Sequence, residues 1–271
     1  MKTPVYLAGA LAALTLLVPL AAPAQAAAPK KAKKPQTVVA LTFDDGDATQ
    51  AEAARMLQNH GMRGTFYVNS GTIGQEGKLT ESQLTALAKA GHEIGGHSVD
   101  HVRLNGLLPD RQREQICGDR RALMEMGHEV STFAYPFGAV DGDARQTAKE
   151  CGYAAARGVS GLRAVTCATC STPAAESLPP ANRWNIRGAG SVLDSTSVRH
   201  LKQQVLNAEK AGGGLVPVIF HVVCDDCGQY SIAPERLEEF LVWLEKRRSR
   251  GTVVRTVAQA VGAKPGPLPE D

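Results

Sequence analysis

Two adjacent carboxylates close an apolar run near position 40. Residues 37–43 are apolar and rich in β-branched side chains, which predicts a short buried strand. The strand ends at Asp44 and Asp45, and Gly46 favours a turn after them. Two carboxylates at the end of a buried strand repel each other and are costly to remove from water, so a cation, most simply a metal ion, would justify them. A plain Asp-Gly turn is the alternative interpretation.

Two histidines follow the third predicted strand, at residues 93–97. His97 and His101 are four residues apart, and imidazoles with this spacing can reach one point from the same side. Together with Asp45 they supply two imidazoles and one carboxylate, a set that suits a divalent ion and leaves positions open for water and substrate. Asp45 ends another strand of the same predicted sheet. The carboxyl ends of parallel strands lie on one face, where active sites gather.

Two further strand ends carry candidate residues. The segment Tyr135-Pro136-Phe137-Gly138 follows a predicted strand, and this turn could shape a groove and present backbone N–H groups. His221 ends a strongly apolar strand and is suited to act as an acid or a base near neutral pH. A histidine buried in the core is the alternative for this position.

Strands and helices alternate along the chain, which predicts a parallel α/β sheet in one domain. The segment 159–190 is irregular, with three prolines and two of the cysteines. The predicted strands are 37–43, 64–68, 93–97, 131–135, 152–156, 214–223 and 252–255. The predicted helices are 49–59, one beginning at 80–82 and ending before Gly91, 109–126, 143–151, 194–211, 234–250 and 257–261.

The first 26 residues have the layout of a secretory signal peptide, with Lys2, an apolar run over 5–20 and Ala24-Gln25-Ala26 as a cleavage signal. A retained membrane anchor is the alternative, although the run is short. Residues 27–36 are predicted to be a basic flexible tether, 37–262 the catalytic domain and 263–271 a disordered tail. We therefore expect a secreted or cell-wall-associated monomer with no stable membrane insertion after cleavage. The net charge of +3 gives no indication of a nucleic-acid partner.

Six cysteines lie beyond the leader, and an even number in an exported protein favours disulfides. We expect a bridge between Cys117 and Cys151, with further bridges within or between two C-x-x-C pairs. A zinc site with four thiolates is the alternative for these pairs, although an oxidising compartment disfavours it. The two C-x-x-C pairs are Cys167 with Cys170 and Cys224 with Cys227.

These segments together resemble the polysaccharide deacetylase family, the NodB-homology enzymes of carbohydrate esterase family 4. Thr42-Phe43-Asp44-Asp45-Gly46 matches the first family motif, and His97-Ser98-Val99-Asp100-His101 matches the second, in the right order and spacing. The resemblance spans about residues 38–261. It implies a distorted (β/α) barrel with about seven parallel strands, which agrees with the alternation described above.

The resemblance also implies roles for the candidate residues. Asp44 would be the general base that takes a proton from the attacking water, and His221 would protonate the leaving amine. The backbone N–H of Phe137 would stabilise the oxyanion. The implied cofactor is Zn²⁺, with Co²⁺ or Ni²⁺ as alternatives, and its implied ligands are Asp45, His97 and His101.

The chain departs from the family pattern near the base. Many relatives carry an arginine at the position of Ala134, paired with a downstream aspartate, and neither partner is evident here. The corresponding region, 182–187, contains arginines and no acid. We expect Arg187 or Arg183 to support Asp44 instead. An aspartate often follows the last family histidine, whereas Val222 follows it here.

Other side chains are candidates for tuning the acid or binding the substrate. Asp225 or Asp226 could tune His221. Trp184 and Phe220 could form the pocket for the acetyl methyl group, with ordinary core packing as the alternative for each. Tyr135 and Pro136 are expected beside Phe137 in the substrate groove.

The sequence therefore predicts a secreted, metal-dependent deacetylase that acts on the N-acetyl groups of an N-acetylglucosamine polymer. Peptidoglycan, chitin-type oligomers and secreted poly-N-acetylglucosamine remain open as substrates. An O-deacetylase acting on acetyl-xylan and a carbohydrate-binding barrel without catalysis are the alternatives. A third alternative is an interaction protein built around the C-x-x-C pairs.

Overall fold

The computed structural model describes residues 1–5, 36–167 and 169–267. The chain divides into the units Met1–Lys33 and Lys34–Asp271. Residues 1–5 of the first unit contain no helix or strand. The predicted tether and most of the predicted signal peptide lie outside the described residues. Within the described ranges, no helix combines the length and the apolar composition needed to cross a membrane.

The second unit is built on a curled parallel sheet. In the described part of the chain its eight strands are β1 (Thr37–Phe43), β2 (Thr65–Val68), β3 (Glu93–Gly96), β4 (Thr132–Ala134), β5 (Ala155–Gly161), β6 (Ile186–Gly188), β7 (Gly214–Phe220) and β10 (Thr252–Val254). They follow the order β10-β1-β2-β3-β4-β5-β6, with β7 paired to β1 along its whole length. Strands β1 to β7 form the expected distorted barrel, so the prediction of about seven parallel strands is confirmed.

Six of the described helices cover the outer face of the barrel, the short helix at residues 257–261 packs against the inner cluster, and a small second sheet follows β7. This second sheet pairs β8 (Val222–Val223) with β9 (Ser231–Ile232). The helices are α1 (Gln50–Asn59), α2 (Glu81–Lys89), α3 (Pro109–Glu125), α4 (Gly142–Glu150), α5 (Val198–Lys210), α6 (Pro234–Arg247) and α7 (Val257–Val261).

Strand alternation separates two hydrophobic clusters. On β1, Val39, Leu41 and Phe43 belong to the large cluster between the sheet and the helices, whereas Val38 and Ala40 belong to a smaller one. The small cluster also takes side chains from β2, β4, β5, β6 and β7, so it fills the barrel interior. Because successive residues of a strand face opposite sides, Asp44 continues the inward series of Val38 and Ala40.

The strands differ from the sequence prediction at three places. Strand β5 begins three residues later than predicted and continues to Gly161, five residues beyond the predicted end. Strand β6 was not predicted, because it is three residues long and lies within the irregular segment. The predicted strand 214–223 is divided at His221, since β7 ends at Phe220 and residues 222–223 pair with β9 instead.

The described cysteines form three disulfides and none is free. The Cys117–Cys151 bridge joins α3 to the C-terminal end of α4, as expected. Each C-x-x-C pair is bridged within itself, at Cys167–Cys170 and Cys224–Cys227. At the C-terminal end, the buried guanidinium of Arg120 donates to the carbonyls of Gly266 (2.8 Å) and Pro267 (2.5 Å), which ties residues of the predicted tail to the barrel. Residues 268–271 lie outside the described residues.

Candidate metal centre and active site

The corner after β1 separates the two aspartates. Asp44 is buried, and its backbone N–H donates to the Phe220 carbonyl of β7 at 2.9 Å. Asp45 adopts a positive φ of 71°, which turns the chain out of the strand, and its side chain is 30% exposed. Buried Gln50 fixes the corner, because its Nε2 donates to the carbonyls of Asp44 (2.5 Å) and His221 (2.9 Å). The two neighbouring carboxylates therefore lie in different surroundings.

The histidine loop after β3 is anchored by helix α3. Asp119 accepts hydrogen bonds from the backbone N–H groups of His97 and Ser70, both at 2.9 Å. The backbone N–H of Asp100 donates to Gln115 Oε1 at 3.0 Å, and Gln115 Nε2 donates to the Asp100 carboxylate at 2.7 Å. Burial raises the pKa of Asp119 to about 6 even though these N–H groups favour its charged form. The loop is thus held from behind by buried polar side chains.

Asp45, His97 and His101 converge on one point. Their ligand atoms lie within 4.8 Å of one another. Nε2 of His97 is 3.2 Å from Asp45 Oδ1, and Nε2 of His101 is 3.1 Å from the same oxygen. Both histidines come from the loop predicted for this purpose, and Asp45 comes from the corner after β1.

The donor set of this cluster fits a divalent cation. The Nδ1 of His97 lies 2.7 Å from the Ala134 carbonyl, which can only accept, so Nδ1 carries the hydrogen and Nε2 of the neutral ring presents a lone pair. Asp45 Oδ1 is buried and lacks a hydrogen-bond partner when both rings are neutral. Burial would raise the pKa of the Asp45 carboxyl, but the two imidazoles in their protonated forms hold that pKa well below its usual range. An oxygen and nitrogen lone pairs directed at one point favour a positive charge between them, which a divalent cation can supply.

Arg157 supports Asp44 from strand β5. Its Nη2 donates to Asp44 Oδ1, and the two side chains are 0% and 2% exposed. Its Cζ lies 4.8 Å from the centre of the Tyr67 ring, which forms one wall of the barrel interior. Arg157 pairs in register with Ala134 on β4, the position where many relatives carry their arginine. The small Ala134 side chain leaves room for the guanidinium supplied by the next strand.

The prediction that Arg187 or Arg183 supports Asp44 is wrong. Arg187 is paired with Glu176, at 2.7 Å from Nη2 to Oε1 and 2.8 Å from Nε to Oε2. Arg183 is exposed and donates to the Val261 carbonyl at 3.1 Å. Both arginines lie in the region that aligned with the missing aspartate, but neither contacts Asp44.

His221 lies beside this corner, at the end of β7. Its ring is half-buried and lies 5.1 Å from the Tyr230 ring, and its Nδ1 is buried without a partner. Burial lowers the pKa of His221, and the negative charges of Asp44 and Asp45 oppose this in part. Asp225 and Asp226 are exposed, and neither bonds Nδ1, so the expected tuning by these residues is not seen.

Phe137 has the backbone conformation of a strained turn. Its φ of 58° places it in the left-handed region, and the two N–H groups after it, of Gly138 and Ala139, are already bonded within the turn. The Phe137 ring is 56% exposed and lies 4.5 Å from the His101 ring. The guanidinium of Arg103 covers it at 4.9 Å, a neighbour that the sequence did not indicate.

The other predicted binding residues are buried or half-buried side chains. Phe220 is fully buried and stacks on Phe43 at 5.2 Å in the outer cluster, so it faces away from the barrel interior and the prediction of an acetyl-pocket role is wrong. Tyr135 is also fully buried, and its hydroxyl donates to the Trp184 carbonyl at 3.0 Å. Pro136 is buried in the turn before Phe137. Trp184 is half-buried against the outer cluster, and its role in binding stays a prediction.

Comparison with known proteins links this geometry to one family. Residues 31–156 match the family model described as polysaccharide deacetylase. The chain is 33% identical over 124 residues to "Putative polysaccharide deacetylase YxkH" of Bacillus subtilis, which covers 45% of this chain and 44% of that protein. It is 31% identical over 117 residues to the peptidoglycan-N-acetylglucosamine deacetylase PgdA of Listeria monocytogenes, with coverage of 42% and 24%.

A solved structure has the same fold. The Xyl-CE4 domain of a multidomain xylanase from the hindgut metagenome of Trinervitermes trinervoides aligns with a TM-score of 0.55 at 20% identity, over 86% of this chain and 95% of that one. This likeness concerns the fold. The chain spans less than half the length of the two curated relatives named above.

Proposed function

The chain carries a polysaccharide deacetylase domain of the NodB-homology type, and from this premise we propose a metal-dependent enzyme that removes N-acetyl groups from N-acetylglucosamine-containing polymers. The observation that carries the proposal is the pairing of two unlike aspartates at one corner. One oxygen of Asp45 lies 3.2 and 3.1 Å from the Nε2 atoms of His97 and His101, whereas Asp44 beside it is held by Arg157. One carboxylate is thus arranged for a cation and the other for a proton.

Asp45, His97 and His101 are the proposed metal ligands. Two imidazoles and one carboxylate suit Zn²⁺, and Co²⁺ or Ni²⁺ accept the same donors. A bound divalent ion supplies a Lewis acid that polarises a carbonyl and lowers the pKa of water. His97 is buried and fixed at both its Nδ1 and its backbone N–H, whereas His101 and Asp45 remain 29% and 30% exposed, which leaves access from solvent.

Three groups of this chain perform the remaining steps. Asp44 accepts the proton of the attacking water, and Arg157 keeps this carboxylate charged and oriented. The N–H of Phe137 donates to the oxyanion that forms on the acetamide carbonyl. His221 protonates the departing amine, and a pKa lowered by burial suits a group that must release its proton. An amide has a poor leaving group, so it requires all three contributions.

We place the enzyme outside the cytosol, at the cell wall or in the medium. The leader-like residues 1–26 support this, as do three disulfides in the described part of the chain, since disulfides persist in oxidising compartments. The named relative from Listeria acts on peptidoglycan N-acetylglucosamine, which supports a polymer of that sugar as the substrate class here.

Acetate release tests the proposal. Purified protein is incubated with chitooligosaccharides, peptidoglycan or acetyl-xylan, with Zn²⁺ or a chelator, beside the variants Asp45→Ala and Asp110→Ala. The second variant removes an exposed carboxylate from the first turn of α3 and serves as the matched control. We expect metal-dependent release from an N-acetylated polymer, lost in Asp45→Ala and kept in Asp110→Ala.

Two results would contradict the proposal. Release from acetyl-xylan alone would indicate O-deacetylation by the same site. A full complement of bound metal with no release from any of the three substrates would favour a carbohydrate-binding barrel without catalysis.

A further inference from the structure

Exposed aromatic rings are concentrated at the site. Among the described aromatic side chains, only Phe137 and Tyr230 are exposed, at 56% and 50%. Each packs against a different site histidine: Phe137 lies 4.5 Å from the His101 ring, and Tyr230 lies 5.1 Å from the His221 ring. Two exposed rings placed at random would rarely both contact the few residues that carry the chemistry. Their common location points to a ligand.

The Tyr230 ring is the one left open for a ligand to cover. Phe137 already has the Arg103 guanidinium over it at 4.9 Å, and the turn that contains it is proposed to supply the oxyanion N–H. The Tyr230 ring is inclined at 51° to the His221 ring that it contacts. This leaves half of the Tyr230 side chain in solvent. A tyrosine offers a flat apolar face with a hydroxyl at its edge, which matches the apolar face and polar rim of a pyranose ring.

The backbone around Tyr230 is fixed rather than free. Its carbonyl accepts the Val222 N–H at 3.2 Å, within the small β8–β9 sheet. Ser231 Oγ donates to the Gly228 carbonyl at 2.6 Å, and the Gln229 carbonyl accepts the Asp194 N–H at 2.9 Å. The Cys224–Cys227 disulfide closes the turn between the two short strands. A binding residue on such a support loses little conformational entropy when the ligand arrives.

We propose that Tyr230 is a specificity-determining residue that binds the sugar unit adjoining the one being deacetylated. The inference rests on the proposed function and names its substrate class as an oligomer of neutral pyranose units rather than a free monosaccharide. His221 is proposed to act on the leaving amine, so a ring packed on its imidazole lies beside the reacting sugar. The exposed carboxylates of Asp225 and Asp226, on the same loop, disfavour anionic sugars at this position.

The test separates binding from catalysis. Chitotetraose binding is measured by calorimetry on the Asp44→Asn protein, alone and combined with Tyr230→Ala or Tyr230→Phe. In the otherwise native enzyme, the ratio of kcat/KM for chitotetraose to kcat/KM for 4-nitrophenyl acetate is measured for the same two changes at Tyr230. We expect Tyr230→Ala to weaken binding and to lower the ratio by about tenfold each, and Tyr230→Phe to change both less than about twofold.

Several outcomes would overturn the inference. A purely structural role, in which Tyr230 only positions His221, would also lower the ratio, because 4-nitrophenolate leaves without an acid, but it would act through kcat, shift the pH profile and leave the calorimetric affinity for chitotetraose unchanged. No detectable chitotetraose binding to the Asp44→Asn protein would also overturn it. If the native enzyme releases no acetate from any substrate, the proposed function fails, while the calorimetric comparison still decides the role of Tyr230.

Discussion

Replacing Arg157 with methionine keeps much of the length of the side chain and removes the charge that pairs with Asp44. Both side chains are buried, at 0% and 2% exposure, so water cannot replace the lost partner. The Tyr67 ring on one side and Ala134 on the neighbouring strand supply no other cation. The variant therefore leaves a carboxylate without a counter-charge at the place where the proposed chemistry needs it ionised.

The size of the effect follows from this burial. Removing one partner of a buried ion pair costs about 3–5 kcal/mol, because the remaining charge is left uncompensated. That is a large share of the roughly 5–15 kcal/mol by which a domain is stable. With its base impaired, the enzyme should lose about 100-fold in kcat/KM at pH 7.

Denaturant unfolding and acetate release measure the two effects, with two comparison variants. Arg187→Met removes the partner of Glu176, whose side chain is 1% exposed, and serves as the matched control. It should lower the free energy of unfolding and leave kcat/KM at pH 7 near the native value. Ala134→Arg combined with Arg157→Ala moves the guanidinium to the register partner on β4. We expect this double variant to recover at least about a tenth of native activity, the general-base contribution being about 100-fold or more.

The reasoning would be refuted by a stable Arg157→Met protein with native kcat/KM. It would also be refuted if Arg187→Met lowered kcat/KM as strongly as Arg157→Met. In either case the Arg157–Asp44 pair would have no specific part in supporting the proposed base.

Two further predictions concern His221 and Glu176. His221→Asn should lower kcat by about 100- to 10,000-fold with bound metal unchanged, as found by steady-state kinetics and elemental analysis, and native activity would remove His221 from the mechanism. Burial would raise the pKa of Glu176, but hydrogen bonds from Arg187 and from backbone N–H groups lower it from 4.5 to about 2. Because this pKa is lower in the folded protein than in the unfolded chain, ionised Glu176 stabilises the fold above about pH 4.5. The stabilisation is at most about 3 kcal/mol, and it is lost as the pH falls towards 2. Melting curves should therefore show Glu176→Gln well below the native protein at pH 7 and much closer to it near pH 2.5, and a constant difference at both pH values would contradict this.

The residues of the proposed metal centre could be predicted because each half of it is contiguous in the sequence. Asp44 and Asp45 adjoin one strand, and His97 and His101 share one loop, so local motifs were sufficient. The Arg157–Asp44 pair spans 113 residues, and no local pattern records it. The prediction also ended the fifth strand at residue 156, one position before Arg157 and five before the end of β5, because Arg157-Gly158 after an alanine run is typical of a loop. Burial inside the barrel overrides that local preference.

The misplacement of Phe220 has a different cause. Its position next to His221 suggested that both side chains line the same pocket, but adjacent residues of a strand face opposite sides of the sheet. Phe220 pairs in register with Phe43, which already belongs to the outer cluster, and the two rings stack there. This error could have been avoided from the sequence, since the alternation of β1 assigns Phe43 outward and Asp44 inward.

The arginine that supports Asp44 must lie at the right height along the barrel axis, and this matters more than which strand carries it. Ala134 and Arg157 are register partners on adjacent parallel strands, and both face the interior, so a long side chain from either position reaches the corner after β1. The small inner cluster has alanines on β1, β4 and β5, and Asp44 is the carboxylate that the Arg157 guanidinium reaches beside it. A second arginine would be a buried charge without a partner, which is costly. This level of the barrel therefore needs one arginine, which either strand can provide. The chain can thus lack an arginine at position 134 and still pair its proposed base, Asp44, with a guanidinium.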